Sequence, residues 1–507
     1  MVTIKLKWIL HYILLSIVPF FIFYIGTIFY SIQTPYYLLN WDPEYAYLYN
    51  GIAIYSGVAP SHTDHPGTTL QILIFLYFLL TEYGSSSINL YQKIIINPEA
   101  YLYAINNILL VIVSFFTFIL GFYLNKKFNN ILLAFISQLT ILISPNAILV
   151  LGRVMPETFI ISVSLFTFII VIYSIFNKKL IVTSALIVAF GVSTKLTFLP
   201  FVAVSIFIIN NKKQIFLWIN YFLFGCFIFT IPWILNYKLY YYFMLWFKNL
   251  FIGSGIYGQG PQTIINFNTY IPNIIILLKQ EWLFVITNII TLLLTFFVFN
   301  FNKNKYINNE FKDYKKLLYT LIIIQFMCLL MVAKHPQTIR YLIPAISICL
   351  PVFSLALYCF FSKYSFLGQK LIALIYSLSL IVFVLIILFQ IDFSLINARN
   401  IKTQSLNNQL LISNKINNER YLNCIKVYRD SSNIEFAHEF GLTYAKPKKN
   451  ISNFIDSHKL FKDIYFYDPN IKQYFTVSGS KIEFDAFAID DRCIIYIDVN
   501  ELKLIKE

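Results

Sequence analysis

The sequence predicts an α-helical polytopic membrane protein of about eleven transmembrane helices, closed by a small C-terminal extracytoplasmic α/β domain. Three observations carry that prediction. Hydrophobic residues fill 58% of the 507 positions and charged residues only 12%, too little charge to cover a soluble protein of this size. Apolar runs long enough to cross a hydrocarbon core recur up to about residue 391. From Asn397 onward charge density rises and the pattern changes to short alternating segments.

In chain order the candidate spans are 8–30, 101–124, 130–150, 157–176, 180–194, 196–210, 214–235, 282–301, 317–333, 341–361 and 371–391. The first run, Trp8 to Tyr30, exceeds a signal-peptide core and ends without a small-x-small cleavage pattern, so it reads as an uncleaved span. The pair 180–194 and 196–210 is short. Read as one tilted helix it would invert every later loop, whereas two short helices meeting near Lys195 keep the lysine clusters on one side. Those clusters are Lys5/Lys7, Lys126/Lys127, Lys178/Lys179, Lys212/Lys213, Lys303 to Lys316 and Lys363/Lys370. They account for much of the +15 net charge as a positive-inside pattern, and no continuous basic face is left for nucleic acid.

With the N-terminus cytoplasmic, the external segments are 31–100, 151–156, the turn at Lys195, 236–281, 334–340 and everything beyond about 392. The apolar stretch Pro66–Tyr83 lies inside the first external loop and reads as a re-entrant or interfacial helix. The domain plan is a transmembrane region at 1–396 and an extracytoplasmic domain at 397–507. The latter has expected strands at Cys424–Tyr428, Asp463–Tyr467, Lys481–Phe487 and Arg492–Val499, and a helix at Asn433–Tyr444. Of six cysteines, Cys424 and Cys493 share this domain; a disulfide and two free thiols both fit the spacing. The segment Gly253–Gly260 is glycine-rich but has neither the preceding strand nor the Lys-Ser/Thr of a phosphate loop, and reads as an external loop over a site.

Acids are scarce before residue 397, and Asp42, Glu44, Asp64, Glu82, Glu99 and Glu157 all fall on the external side of this topology. So do His62, His65, His335, Arg153, Lys195 and Arg340. Ionisable groups at the edge of a membrane are costly and mark function. Asp42 opens the first external loop, where partial desolvation and a nearby cation can poise a carboxylate as a base. The same residue would also cap a helix beginning at Pro43, with Glu44 supporting the dipole. His62, Asp64 and His65 match metal ligands in type but not in spacing; a divalent cation is compatible with them, and hydrogen-bonded loop residues fit at least as well. Lys195 has no counter-ion near it in sequence, and Arg340 offers a planar fork suited to phosphate or carboxylate.

Together the acidic first loop, Arg153-Val-Met-Pro-Glu157, Ser193-Thr-Lys195 and Arg340-Tyr-Leu-Ile-Pro344 resemble the GT-C superfamily of polyprenyl-phosphate-sugar-dependent glycosyltransferases. The likeness is greatest to protein O-mannosyltransferases and lipid A aminoarabinose transferases. It implies inverting transfer at the outer face of the plasma membrane, from a polyprenyl-phosphate-linked sugar to an envelope lipid, glycan or protein. In that resemblance Asp42 is the base, and Glu44 and Glu157 complete the catalytic acids. His65, Arg153, Lys195, His335, Arg340 and Tyr341 line the substrate, with Lys195 and Arg340 beside the leaving phosphate. Pro43 separates two acids that are adjacent in many relatives, which bears on Glu44 more than on Asp42. An O-antigen polymerase or ligase is disfavoured by the terminal α/β domain. A transporter is disfavoured by spans nearly free of charge.

Overall fold

The computed structural model describes residues 2–39, 42–63, 67–174, 180–209, 211–253, 265–300, 309–334, 339–363, 369–416, 424–430 and 433–458. In the C-terminal segment it further describes 461, 464–468, 473–478, 481–482, 494–498 and 501–506. Among the described residues, seven helices are long and apolar enough to cross a membrane: Ile9–Gln33, Pro98–Phe128, Pro156–Ser174, Trp282–Phe299, Lys312–Ala333, Ile339–Lys363 and Gln369–Leu410. An eighth is a pair, Ile131–Ile143 and Pro145–Leu151, bent by 83°. The bend has a local cause. Ser144 is extended and its side chain accepts from the Ala147 amide, and Pro145 takes the first helical position, so a new helix starts there.

The expected count of about eleven exceeds these eight by the runs 180–194, 196–210 and 214–235. The first is a helix of only 14 residues, Ile181–Thr194, about 21 Å long at 1.5 Å per residue. The second is a 3-10 segment, Leu196–Ala203, followed by Val204–Ile208. The third is helical over Lys212–Phe229 and then turns into a 3-10 segment, Ile231–Asn236, with Pro232 at its start. Lys195 separates the first two with an extended backbone.

Among the described residues two large apolar cores organise the chain. One fills the helical bundle, with Leu15, Leu110, Phe168, Phe198 and Leu350 fully or almost fully buried. The other is shared between the segment after the first span and the C-terminal segment: Tyr45, Tyr49, Leu70 and Tyr91 pack with Leu442, Ile455 and Phe466. The stretch between the first two spans forms helices at Tyr36–Leu39, Glu44–Tyr55, Thr68–Thr81 and Ser87–Ile96. The third corresponds to the expected interfacial helix.

The C-terminal segment forms a six-stranded sheet. Its strands are β1 (Ile425–Asp430), β2 (Ile464–Asp468), β3 (Gln473–Phe475), β4 (Lys481–Ile482), β5 (Ile494–Asp498) and β6 (Glu501–Lys506). Their order is β4-β3-β2-β1-β5-β6, with β1 parallel to β2 and β5 and the remaining pairs antiparallel. Helix Ile434–Ala445 follows β1 as expected; β3, β6 and the helix Lys449–Asp456 were not anticipated. The boundary read at residue 397 falls within the helix Gln369–Ile416. Cys424 is disulfide-bonded, whereas Cys226, Cys328, Cys349 and Cys359 are not in disulfides.

Candidate functional site

The charged residues singled out above come together from four separate stretches of chain. Asp42 lies just before the helix Glu44–Tyr55 and is half-buried. Glu44 opens that helix and is fully buried. Its two carboxylate oxygens accept from Arg153 Nε at 2.6 Å and Nη2 at 2.7 Å, and the same Nη2 donates to the Asp42 carbonyl at 2.9 Å. Burial raises the Glu44 carboxyl above its ordinary pKa while Arg153 opposes that shift. Glu44 was expected beside Asp42 as a catalytic acid, and Arg153 as a substrate ligand. In this structure the two side chains pair with each other, and the fork fixes the two loops against each other.

The loop carrying Arg153 is pinned in turn. Tyr36 donates its hydroxyl to the Gly152 carbonyl at 2.7 Å. A Cβ on Gly152 would meet the Tyr30 nitrogen at 2.5 Å and the Phe29 carbonyl carbon at 2.6 Å, so only glycine lets this turn approach the first span. Glu99 anchors the other side, accepting from the Tyr36 amide at 2.9 Å and the Tyr45 hydroxyl at 3.1 Å.

The second group centres on Glu157, 1% exposed, in the first turn of Pro156–Ser174, where the helix dipole favours an anion. Lys195 Nζ donates to Glu157 Oε1, and Arg340 Nε lies 3.4 Å from the same oxygen. That distance makes an ion pair but not a hydrogen bond, and Glu157 Oε2 has no hydrogen-bond partner among the described residues. Lys195 therefore does not snorkel to an interface: it is 3% exposed, and its counter-ion comes from 38 residues away. Its ammonium also sits 4.1 Å from the centroid of the Tyr341 ring, so Tyr341, expected to touch substrate, supports Lys195 by a cation–π contact. The Asp42 carboxylate lies within electrostatic reach of both Lys195 and Arg340.

The segment entering Thr68–Thr81 is stitched to the Lys195 turn. Gly67 donates its amide to the Thr194 carbonyl at 3.1 Å, and the Thr69 and Thr194 hydroxyls are 2.7 Å apart. Gly67 has φ of +57° and faces the Tyr47 ring so closely that a Cβ would meet it at 2.5 Å, a position that demands glycine. His65 and His335, both expected as substrate ligands, lie outside the described residues, as does Asp64. The His62, Asp64 and His65 reading as metal ligands thus falls largely outside them too. Among the described residues no three His, Cys, Asp or Glu side chains form a group able to hold a metal.

Sequence reasoning missed Glu281. It is 1% exposed and accepts from Ser144 Oγ at 2.9 Å and Asn146 Nδ2 at 2.7 Å. Beside it is a cavity of about 500 Å³, lined among others by Asn146, Trp282, Ile339 and Phe393, so that it adjoins Arg340 through the neighbouring residue. An acid directly before an aromatic-led apolar run was the available signal. Comparison of the chain with family models, with curated proteins and with solved structures finds no match in any of the three.

Proposed function

We propose that the protein is an inverting glycosyltransferase that moves a sugar from a polyprenyl-phosphate donor to a hydroxyl of an envelope acceptor on the extracytoplasmic side of the plasma membrane. One observation carries the reading. A half-buried carboxylate, Asp42, lies within electrostatic reach of two cations, Lys195 and Arg340, that share a single buried carboxylate oxygen of Glu157. Arg340 Nε has no hydrogen-bond partner among the described residues, which leaves a cationic donor suited to an incoming phosphate.

The Asp42 carboxylate takes the proton of the acceptor hydroxyl as that oxygen forms a bond to the anomeric carbon. On the opposite face the bond from the anomeric carbon to the phosphate oxygen breaks, and its electron pair leaves with the polyprenyl phosphate. Lys195 and Arg340 stabilise the charge developing there, and Glu157 holds the two cations together. Glu44 and Arg153 position the turn that carries Asp42.

The placement on the extracytoplasmic side is supported by the lysine clusters between spans and by the disulfide at Cys424, a bond that persists in oxidising compartments. The motif resemblance to GT-C enzymes supports the choice of donor. Asp42→Asn is expected to insert and fold normally yet to lose transfer of radiolabelled sugar from polyprenyl phosphate. Undiminished turnover by that variant removes Asp42 as the base. Cysteine substituted at Arg340 that labels only from the cytoplasmic side sinks the topology as well.

A further inference from the structure

A second cavity, about 600 Å³, lies where three distant parts of the chain meet: the segment following Glu44–Tyr55, the end of Ile231–Asn236 with the start of Lys238–Ile252, and the C-terminal domain. Its polar lining is Ser61, Thr63, Asn236, Tyr242 and Lys446, and Lys446 is the charged member. A second ammonium is near: Lys448 Nζ is 3.9 Å from where a Cβ on Gly57, another lining residue, would sit. Hydroxyls, an amide, an aromatic face and a cation are the groups that bind a negatively charged carbohydrate.

The wall is preformed. Asn50 Oδ1 accepts from the Ser61 amide at 2.8 Å and the His62 amide at 3.3 Å, and Gln71 Nε2 donates to the His62 carbonyl at 2.9 Å. The Ser61 hydroxyl donates to the Tyr444 carbonyl, tying the wall to the C-terminal domain. Lys446 itself ends the helix Ile434–Ala445 with φ of +47°. A glycine would end the helix there without the cost of about 1–2 kcal/mol that a side chain incurs in the left-handed region. The strained position puts a lysine at the cavity instead.

The cavity and the charged site are close along the chain. Thr63 lines it, and Gly67, four residues on, is bonded to Thr194 beside Lys195. Four residues span at most about 14 Å, the reach of two or three sugar rings. We infer that this cavity is an acceptor subsite for an anionic, hydroxyl-rich glycan segment, in which Lys446 of the C-terminal domain recognises the negative charge. The inference rests on the transferase reading for the word acceptor, and on the cavity alone for the ligand class. Binding at a distance from the reacting hydroxyl gives the enzyme acceptor selectivity.

Titration of the purified full-length chain in an uncharged detergent tests it, with trigalacturonate as the anionic probe and maltotriose as a neutral trisaccharide. Native protein is expected to bind trigalacturonate at least tenfold more tightly than maltotriose. Lys446→Glu should abolish the preference. Lys446→Gly should also abolish it while relieving the backbone strain, so loss of binding in that variant is not loss of fold. Tyr242→Ala should weaken both probes. Absence of binding or of preference in the native protein, or a preference that survives in Lys446→Gly, overturns the proposal. Asp42→Asn should bind both probes normally; if it also transfers sugar normally, the base assignment fails and the subsite stands.

Discussion

Two groups of buried charges lie side by side in this protein, and they are built differently. In the first, Glu44 meets Arg153 through both carboxylate oxygens at 2.6 and 2.7 Å, and the spare guanidinium capacity goes to the Asp42 carbonyl. In the second, one oxygen of Glu157 serves both Lys195 and Arg340, the latter at 3.4 Å. The first is closed: one anion, one cation, matched forks. The second has two cations sharing one carboxylate oxygen, and a guanidinium without a good hydrogen bond to its carboxylate. A matched pair holds structure, whereas under the proposed function the under-satisfied cations receive the donor phosphate.

The comparison breaks most sharply at Glu44. Glu44→Ala leaves Arg153 buried without its carboxylate, and such a loss costs about 3–5 kcal/mol. Thermal unfolding in detergent should show it, and Glu44→Ala combined with Arg153→Ala should recover much of the loss. A stable Glu44→Ala single variant would mean the pair is not structural. Arg340→Gln should act the other way round. The fold should lose less than in Glu44→Ala because Lys195 still pairs with Glu157 when Arg340 is replaced. Transfer should fall about 10²–10³-fold with loss of a charge-stabilising donor. Equal effects of the two substitutions on stability would erase the distinction between the groups.

The sequence made the membrane class and most helices legible because apolar length and composition are local properties. Eight of the expected spans coincide with helices or a bent pair long enough to cross. The three others lie where Lys195, Pro200 and Pro232 interrupt the helix, and whether short arms count as spans depends on what they pack against. Asp42, Glu157, Lys195 and Arg340 stood out because charge is scarce around them. Their pairing did not. The separations within the two groups are 109 residues for Glu44–Arg153 and 38 for Glu157–Lys195, and no periodicity relates positions so far apart. The dual core built from the segment after the first span and the C-terminal domain was hidden for the same reason. So was Glu281, whose partners Ser144 and Asn146 precede it by more than a hundred positions.

That second core offers a smaller test, set by pH. His438, 1% exposed, faces the Tyr49 hydroxyl through Nδ1 at 2.6 Å. Its neighbour Gly441 lies so close to the Glu44–Tyr55 helix that a Cβ would meet the Tyr45 carbonyl oxygen at 2.8 Å. The C-terminal domain thus braces the helix that begins at Glu44. Burial pushes His438 from 6.5 down to about 3, so the docked domain keeps it neutral. Below pH 6.5 the undocked chain takes up a proton that the docked one refuses, and docking weakens as pH falls. At 1.36 kcal/mol per pKa unit the loss approaches about 2 kcal/mol by pH 5 and is absent above pH 7. Glu435 on the same helix, raised by burial, shifts stability in the opposite sense, so the His438 contribution is read by difference. His438→Gln can still hydrogen-bond Tyr49 but cannot titrate. Hydrogen exchange of Ile434–Ala445 between pH 7 and pH 5 should show protection falling in the native chain and less so in this variant. Parallel curves for the two proteins would separate the brace from His438, leaving Gly441 and the shared apolar core as what holds the domain to the site.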